Sequence, residues 1–355
     1  MKAFCLKSPG VVGYSEVPEP DLTGYPYGAI IHPIAVTPCS SDVHTAFGGG
    51  SPKAPDLVFG HESIGIVVEI APYVKDFKVG DFVAVPAITP DWRDVDIQNG
   101  NYNHAGAHFS GHQLGRSMPG VFAEKFLIRD ADTTLAQIPH YISKKQALMC
   151  VDVVTTGLTG AEEANIKLGD TACIIGTGPI GLMAIAGAKL MGAGRIIAIG
   201  TRSKSVELAK FYGATDIISY KDGNIAEQVL DITGQRGADA VIIAGGNDEV
   251  FTQAFDMVCY GIGMVSNINY FGGTGNLGFP KFSGGRGMAG KTLHTSLAKG
   301  GRARMERIFE LIKYGRIDPE PLITHEFWGF DKIEKALYLM KEKPSDLIKT
   351  IVNLT

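Results

Sequence analysis

Thr171-Ala172-Cys173-Ile174-Ile175-Gly176-Thr177-Gly178-Pro179-Ile180-Gly181 is the stretch that decides the fold. A short apolar run ends in glycines spaced G-x-G-x-x-G, and an apolar segment follows as far as Met191. Glycine is abundant here, at 45 residues, so the spacing alone says little. Its position between a strand and a helix gives it meaning. Gly176 permits a tight turn, Gly178 lets backbone approach a pyrophosphate, and Gly181 lets the helix pack closely on the strand. The helix amino terminus, with Pro179 and Ile180 in its first turn, favours an anion. The segment from Thr171 to Ala188 carries no charge, but its glycines and proline make it a buried strand, turn and helix rather than a membrane span.

Downstream the pattern repeats. Strands over Arg195 to Ile199, Asp216 to Ser219 and Ala238 to Ala244 alternate with helices over Ser203 to Tyr212 and Asn224 to Ile232. Such alternation specifies an α/β architecture with a doubly wound parallel sheet. In a site for NAD the second strand should end in Asp or Glu, to hold the ribose 2′-hydroxyl. Here it ends in Gly200-Thr201-Arg202. A glycine leaves room for a 2′-phosphate and Arg202 can pair with it, so the expected cofactor is NADP, with Thr201 and Tyr220 completing the set. On this reading, Asp at 200 with a neutral residue at 202 would reverse the cofactor preference.

The region before Asp152 has a different texture. Ala29 to Val36, Ile64 to Ile70 and Phe82 to Val85 read as strands, whereas Asp91 to Gly120 lacks apolar periodicity and reads as a long surface excursion. Two stretches here concentrate chemistry: Cys39-Ser40-Ser41-Asp42-Val43-His44 and Gly60-His61-Glu62. Thiolate, imidazole and carboxylate are the donors that zinc takes, and a catalytic site needs three protein ligands with one position left open. Another helix is expected over Met305 to Lys313, before a strand-like end.

Gly60-His61-Glu62-x-x-Gly65, with Ala71 and Val74, resembles the zinc signature of medium-chain alcohol dehydrogenases. The likeness spans essentially the whole chain and is closest to microbial NADP-dependent secondary-alcohol dehydrogenases. It extends to Pro86-Ala87-Ile88-Thr89-Pro90-Asp91-Trp92, Ile268-Asn269-Tyr270-Phe271-Gly272 and Gly300-Gly301-Arg302-x-Arg304-Met305-Glu306-Arg307. The fold it implies is a GroES-like catalytic domain from residues 1–153 and 297–355 around a Rossmann domain at 154–296. It implies zinc on Cys39, His61 and a third ligand. Asp152 fits by the string Asp152-Val153-Val154-Thr155-Thr156-Gly157, and Cys150, two residues upstream, is the rival. Glu62 matches a family glutamate that reaches or supports the metal. Ser41 and His44 match the family's proton relay.

Ala87, His112, Tyr270 and Leu297 are expected in the substrate pocket. His112 falls where close relatives carry a bulky tryptophan. The resemblance also implies a homotetramer and the oxidoreduction of small secondary alcohols and ketones. Primary alcohols, aldehydes or polyols, and a catalytically silent nucleotide binder, remain as alternatives.

The family's second, structural zinc needs four closely spaced cysteines near residues 90 to 120, and no cysteine lies between Cys39 and Cys150. His104, His108 and His112 would align on a helix, but the glycines among them argue against one. One catalytic ion is therefore expected. A net charge of −4 and a pI near 6.1 offer no footprint for nucleic acid or an anionic membrane. Five scattered cysteines without a C-x-x-C pair fit a reducing compartment, and the Met1 start lacks a signal-peptide pattern, so the expected location is the cytoplasm.

Overall fold

The computed structural model describes residues 1–48, 56–105, 111–273 and 275–355. They form two compact units: Met1–Thr155 with Lys299–Thr355, and Thr156–Ala298. The sequence-based junctions at 153/154 and 296/297 compare with these limits at 155/156 and 298/299.

The first unit is built on strands β1 (Lys2–Ser8), β2 (Val11–Glu16), β3 (Ala29–Val36), β4 (Leu57–Val58), β5 (Ser63–Ile70), β6 (Phe82–Val85), β7 (Phe126–Ile128) and β8 (Ala136–Gln137). The second contains β9 (Thr171–Ile175), β10 (Arg195–Ile199), β11 (Asp216–Ile218), β12 (Ala240–Ile243), β13 (Met264–Asn267) and β14 (Thr292–Thr295). The chain then returns to the first unit with β15 (Ile323–Trp328) and β16 (Lys349–Asn353).

In the first unit a small sheet runs β2-β1-β4, and a larger one runs β15-β16-β3-β5-β6-β8, with β7 also on β3. β16 pairs antiparallel with β3, so the end of the chain is stitched into the sheet that begins near residue 29. Phe4, Phe59, Phe122, Phe126, Leu337 and Val352 lie in one core, drawing both chain segments together. Burying an aromatic side chain contributes about 1.5–3 kcal/mol, which is what recruits these distant segments.

In the second unit six parallel strands follow the order β11-β10-β9-β12-β13-β14. Counted within the unit this is 3-2-1-4-5-6, the doubly wound dinucleotide-binding order, which reverses between β9 and β12. β9 pairs with β10 in the register Ile175↔Ile199, so the two strands end side by side. Gly176 and Gly200 therefore begin adjacent loops at the carboxyl edge of the sheet.

The stretch from Asp91 to Gly120 departs from expectation. Its first part holds two 3₁₀ turns, Val95–Asn99 and Tyr102–His104, neither with a buried residue. Its later part returns inward: Leu114 joins the core, Gln113 and Met118 are buried, and the Thr89 amide donates to the Gly111 carbonyl at 2.7 Å. The buried residues are spread through turns, so no period of 2 or 3.6 betrayed them. His108 lies outside the described residues. His104 and His112 share no helix.

Candidate metal centre and nucleotide site

Cys39 caps the amino end of helix Ser40–Phe47, where its extended backbone turns into the first turn. Its amide donates to Asp42 Oδ2 at 2.8 Å, so the carboxylate three residues on closes the cap. The same carboxylate faces His61, with Asp42 Oδ1 3.4 Å from Nδ1. One ring nitrogen is thereby oriented by Asp42 and the other, Nε2, is presented to the site, the arrangement by which carboxylates steer metal-binding imidazoles. Asp42 was visible in the stretch Cys39–His44 but carried no assigned role. Its signal was the cap spacing, three residues past Cys39.

Asp152 arrives by another route. Between helices Lys144–Met149 and Thr155–Glu163 the backbone widens into a π-helical turn, Cys150–Val154. Such single wide turns occur often at functional sites. This one directs Asp152 Oδ2 to 3.7 Å from both Cys39 Sγ and His61 Nε2. With Glu62, these residues each offer a ligand atom, and all four atoms lie within 4.8 Å of one another. Cys150, the rival, is not in the cluster. It is fully buried, and burial alone pushes its thiol well above the ordinary value.

Glu62 was read from the sequence, but the residue that holds it was not. Lys349, 1% exposed, donates to Glu62 Oε1 at 2.6 Å and to the Pro38 carbonyl at 3.0 Å. Glu62 Oε2 is left buried with no hydrogen-bond partner. The carboxyl is raised by burial, against the pull of Lys349. Burial would lower His61, yet Asp42, Asp152 and Cys39 together raise it well above the ordinary histidine value. The buried carboxyls of Asp42, Glu62 and Asp152 thus gather around one imidazole and one ammonium. One thiolate, one imidazole and carboxylate oxygens suit zinc, and the orphaned Glu62 oxygen is a spare donor.

Ser41 Oγ lies 3.3 Å from His61 Nε2. His44, three residues further along the same helix, is exposed, and its pKa is lowered by partial burial and by Lys343. Ala87 is buried, and its amide donates to the Val151 carbonyl at 2.9 Å, next to Asp152. The His112 ring meets the His61 ring edge to face, with centroids 4.7 Å apart. Burial, with His61 second, lowers His112 to about 3, so it is neutral. Tyr270 and Leu297 belong to the other unit, where Tyr270 is exposed.

In that unit Gly176 has φ +96°, a conformation that disfavours side chains, and its position beside Gly245 leaves little room for a Cβ. Gly178 caps the helix Pro179–Met191, whose first residue is the proline. The six-residue fingerprint therefore ends β9 with free amides at a helix amino terminus, the feature that receives a pyrophosphate. Arg202 caps the next helix, Ser203–Tyr212, and Thr201 Oγ1 donates to the Tyr220 hydroxyl at 2.9 Å. Gly200 has a reason the sequence did not disclose: a Cβ there would collide with Thr177 Oγ1. Asp at 200 with a neutral residue at 202 would therefore require the Thr177 side chain to move before cofactor preference could reverse.

The fold and site can be set beside known proteins. Residues 26–140 match the family model described as an alcohol dehydrogenase GroES-like domain, and residues 179–312 match that of a zinc-binding dehydrogenase. An NADP-dependent isopropanol dehydrogenase of Thermoanaerobacter brockii is 50% identical, with 100% of both chains covered. One from Clostridium beijerinckii is 47% identical, also with 100% of both covered. Among solved structures, the alcohol dehydrogenase TADH from Thermus sp. ATN1 superposes with a TM-score of 0.88 at 26% identity, covering 100% of each chain. With a GroES-like unit that gathers Cys39, His61, Glu62 and Asp152, and a six-stranded nucleotide-binding unit, the chain belongs to the zinc-dependent medium-chain alcohol dehydrogenase family.

Proposed function

We propose that the protein is an NADP-dependent secondary-alcohol dehydrogenase, exchanging a hydride between NADP(H) and a small secondary alcohol or its ketone. The observation that carries this is the full-length identity of 50% to a relative named for NADP and isopropanol. The clustered donors and the absence of an acid after β10 support it from the chain itself.

Cys39, His61 and Asp152 would hold zinc, with Glu62 as a further donor. Gly176, Gly178 and Gly181, with the helix opened by Pro179 and Ile180, would receive the pyrophosphate. Gly200, Thr201, Arg202 and Tyr220 would surround the 2′-phosphate. Bound, the metal would supply Lewis acidity at the substrate oxygen and the nicotinamide a hydride acceptor or donor. The remaining work belongs to side chains. Asp42 keeps the His61 ring oriented. Ser41, close to His61, is placed to take the alcohol proton while giving up its own. His44, on the exposed part of the same helix and held below its ordinary pKa, is the neutral acceptor that hands the proton to solvent. In the ketone direction the same groups run in reverse. Ala87, His112, Tyr270 and Leu297 are proposed as walls of the substrate pocket.

One catalytic ion is proposed, because the cysteines a structural zinc would need are missing. A cytoplasmic location is supported by five free cysteines, and no described helix is long and apolar enough to cross a membrane. A homotetramer is proposed, with apolar residues beside the β14 edge as its support: Phe282 is 94% exposed and Met288 83%. The residue ranges 1–153, 154–296 and 297–355 are proposed as the functional domains.

The test is NADPH oxidation on adding acetone, in parallel with propanal and a polyol, before and after the metal is stripped. Turnover on acetone, lost on stripping and regained with zinc, is the expected result. Faster turnover on propanal or the polyol would overturn the secondary-alcohol preference.

A further inference from the structure

Residues 86–92 and 300–307, two of the strings that carry the family resemblance, meet at the wide turn Cys150–Val154. Near its amino end the Ala87 amide donates to the Val151 carbonyl at 2.9 Å. At its carboxyl end stands Thr155, 1% exposed, whose hydroxyl donates to the Lys299 carbonyl at 2.6 Å. Arg304 lies in the first turn of the helix Arg302–Lys313. It donates through Nε to the Thr155 hydroxyl at 3.0 Å and through Nη2 to the Thr155 carbonyl at 3.4 Å. Gly300 and Gly301 permit this approach: a Cβ on Gly300 would strike Ile88, and Gly301 has φ +83°.

The Thr155 amide donates to the Asp152 carbonyl, three residues back. In an unbroken α-helix it would reach the carbonyl of Val151, which here accepts from Ala87. The turn is therefore held open by partners outside its own helix. Closing it to an ordinary turn would shift the residues before it by one position, about 100° around the helix axis. That rotation would carry the Asp152 carboxylate away from Cys39 Sγ and His61 Nε2, each 3.7 Å from Oδ2.

We propose that Arg304 is a positioning residue for the metal centre: by gripping Thr155 it keeps the wide turn open and holds Asp152 among the metal donors. This rests on the reading of Asp152 as a zinc ligand and deepens it. A forked guanidinium serves a hydroxyl and a carbonyl of one residue at once, which a single ammonium does less well. Arg302, two residues earlier, pairs with Asp76 and Glu306.

The test uses the full chain with cobalt(II) in place of spectroscopically silent zinc, and D152A as the reference for a lost carboxylate. R304M and T155V should move the cobalt d–d bands toward those of D152A while the thiolate-to-cobalt charge-transfer band of Cys39 persists. Both should bind zinc about 10–100-fold more weakly in competition with a chelator. R304K, which keeps one donor, should fall between R304M and wild type, and R302M should match wild type. Should R304M fail to fold, T155V, which preserves the side-chain shape, decides alone.

A lower thermal midpoint with wild-type bands and zinc affinity in R304M and T155V would overturn this inference alone and leave Arg304 a brace for the fold. Equal spectral changes in R302M and R304M would overturn it too. Bands of D152A identical to those of wild type would overturn the assignment of Asp152 to the metal, and this inference with it.

Discussion

A lysine at 1% exposure beside a carboxylate at 0% is costly unless each answers the other, and Lys349 and Glu62 do so at 2.6 Å. Removing one member of such a pair leaves a buried charge without compensation, typically a loss of about 3–5 kcal/mol. Lys349→Met should therefore lower stability by about that amount in chemical denaturation, and adding Glu62→Leu should recover much of it. Equal losses in the single and double variants would show that the pair itself is not what the fold depends on. Nothing in the sequence announced Lys349, because a lysine starting a strand reads as a solvated end. Cys39, His61, Glu62 and Asp152 were legible because donor types and short spacings survive in one dimension. Asp42 and Lys349 were not, since their roles arise only when a cap or a distant strand brings them beside those donors. His112 was read as a change in pocket size, and its edge-to-face contact with His61 could be recognised only from its surroundings.

At the level of elements, the parallel strands and their helices were plain in the sequence, since buried β-branched runs alternate with amphipathic segments. β14 was not foreseen: Thr292–Thr295 is exposed throughout and has no apolar face to give it away. The π-helical turn at Cys150–Val154 was equally hidden, because helix propensity does not distinguish a wide turn from an ordinary one. The loops after β9 and β10 are coupled through Thr177 and Gly200. Gly200→Asp alone should overpack this contact, at about 1–3 kcal/mol, and weaken binding of both NADP and NAD. Thr177→Gly combined with Gly200→Asp should restore stability and bind NAD in preference. Fluorescence titration with each reduced cofactor, alongside thermal midpoints, would check this. A single Asp variant that already binds NAD well would remove Thr177 from the account.

For the whole molecule, the second unit exposes Phe279, Phe282 and Met288 in the segment before β14, itself the edge strand of the six-stranded sheet. Exposed apolar groups beside an unprotected edge are the usual mark of a surface that another chain covers. Sedimentation of the 37.9 kDa chain should show a species of about four copies, and Phe282→Glu with Met288→Glu should shift it to a smaller one. A wild-type monomer at micromolar concentration would refute the tetramer.

The stitching of β16 onto β3 also sets an order in time. Residues 39 to 152 supply every donor of the cluster and leave the ribosome first, but Lys349 is made only after the entire nucleotide-binding unit. During synthesis, therefore, Glu62 waits without its ammonium partner while 287 further residues are added (349 − 62 = 287). A nascent chain stalled before β16 carries all the metal donors without the residue that anchors one of them. The last strand thus completes the buried Glu62–Lys349 pair only at the end of translation.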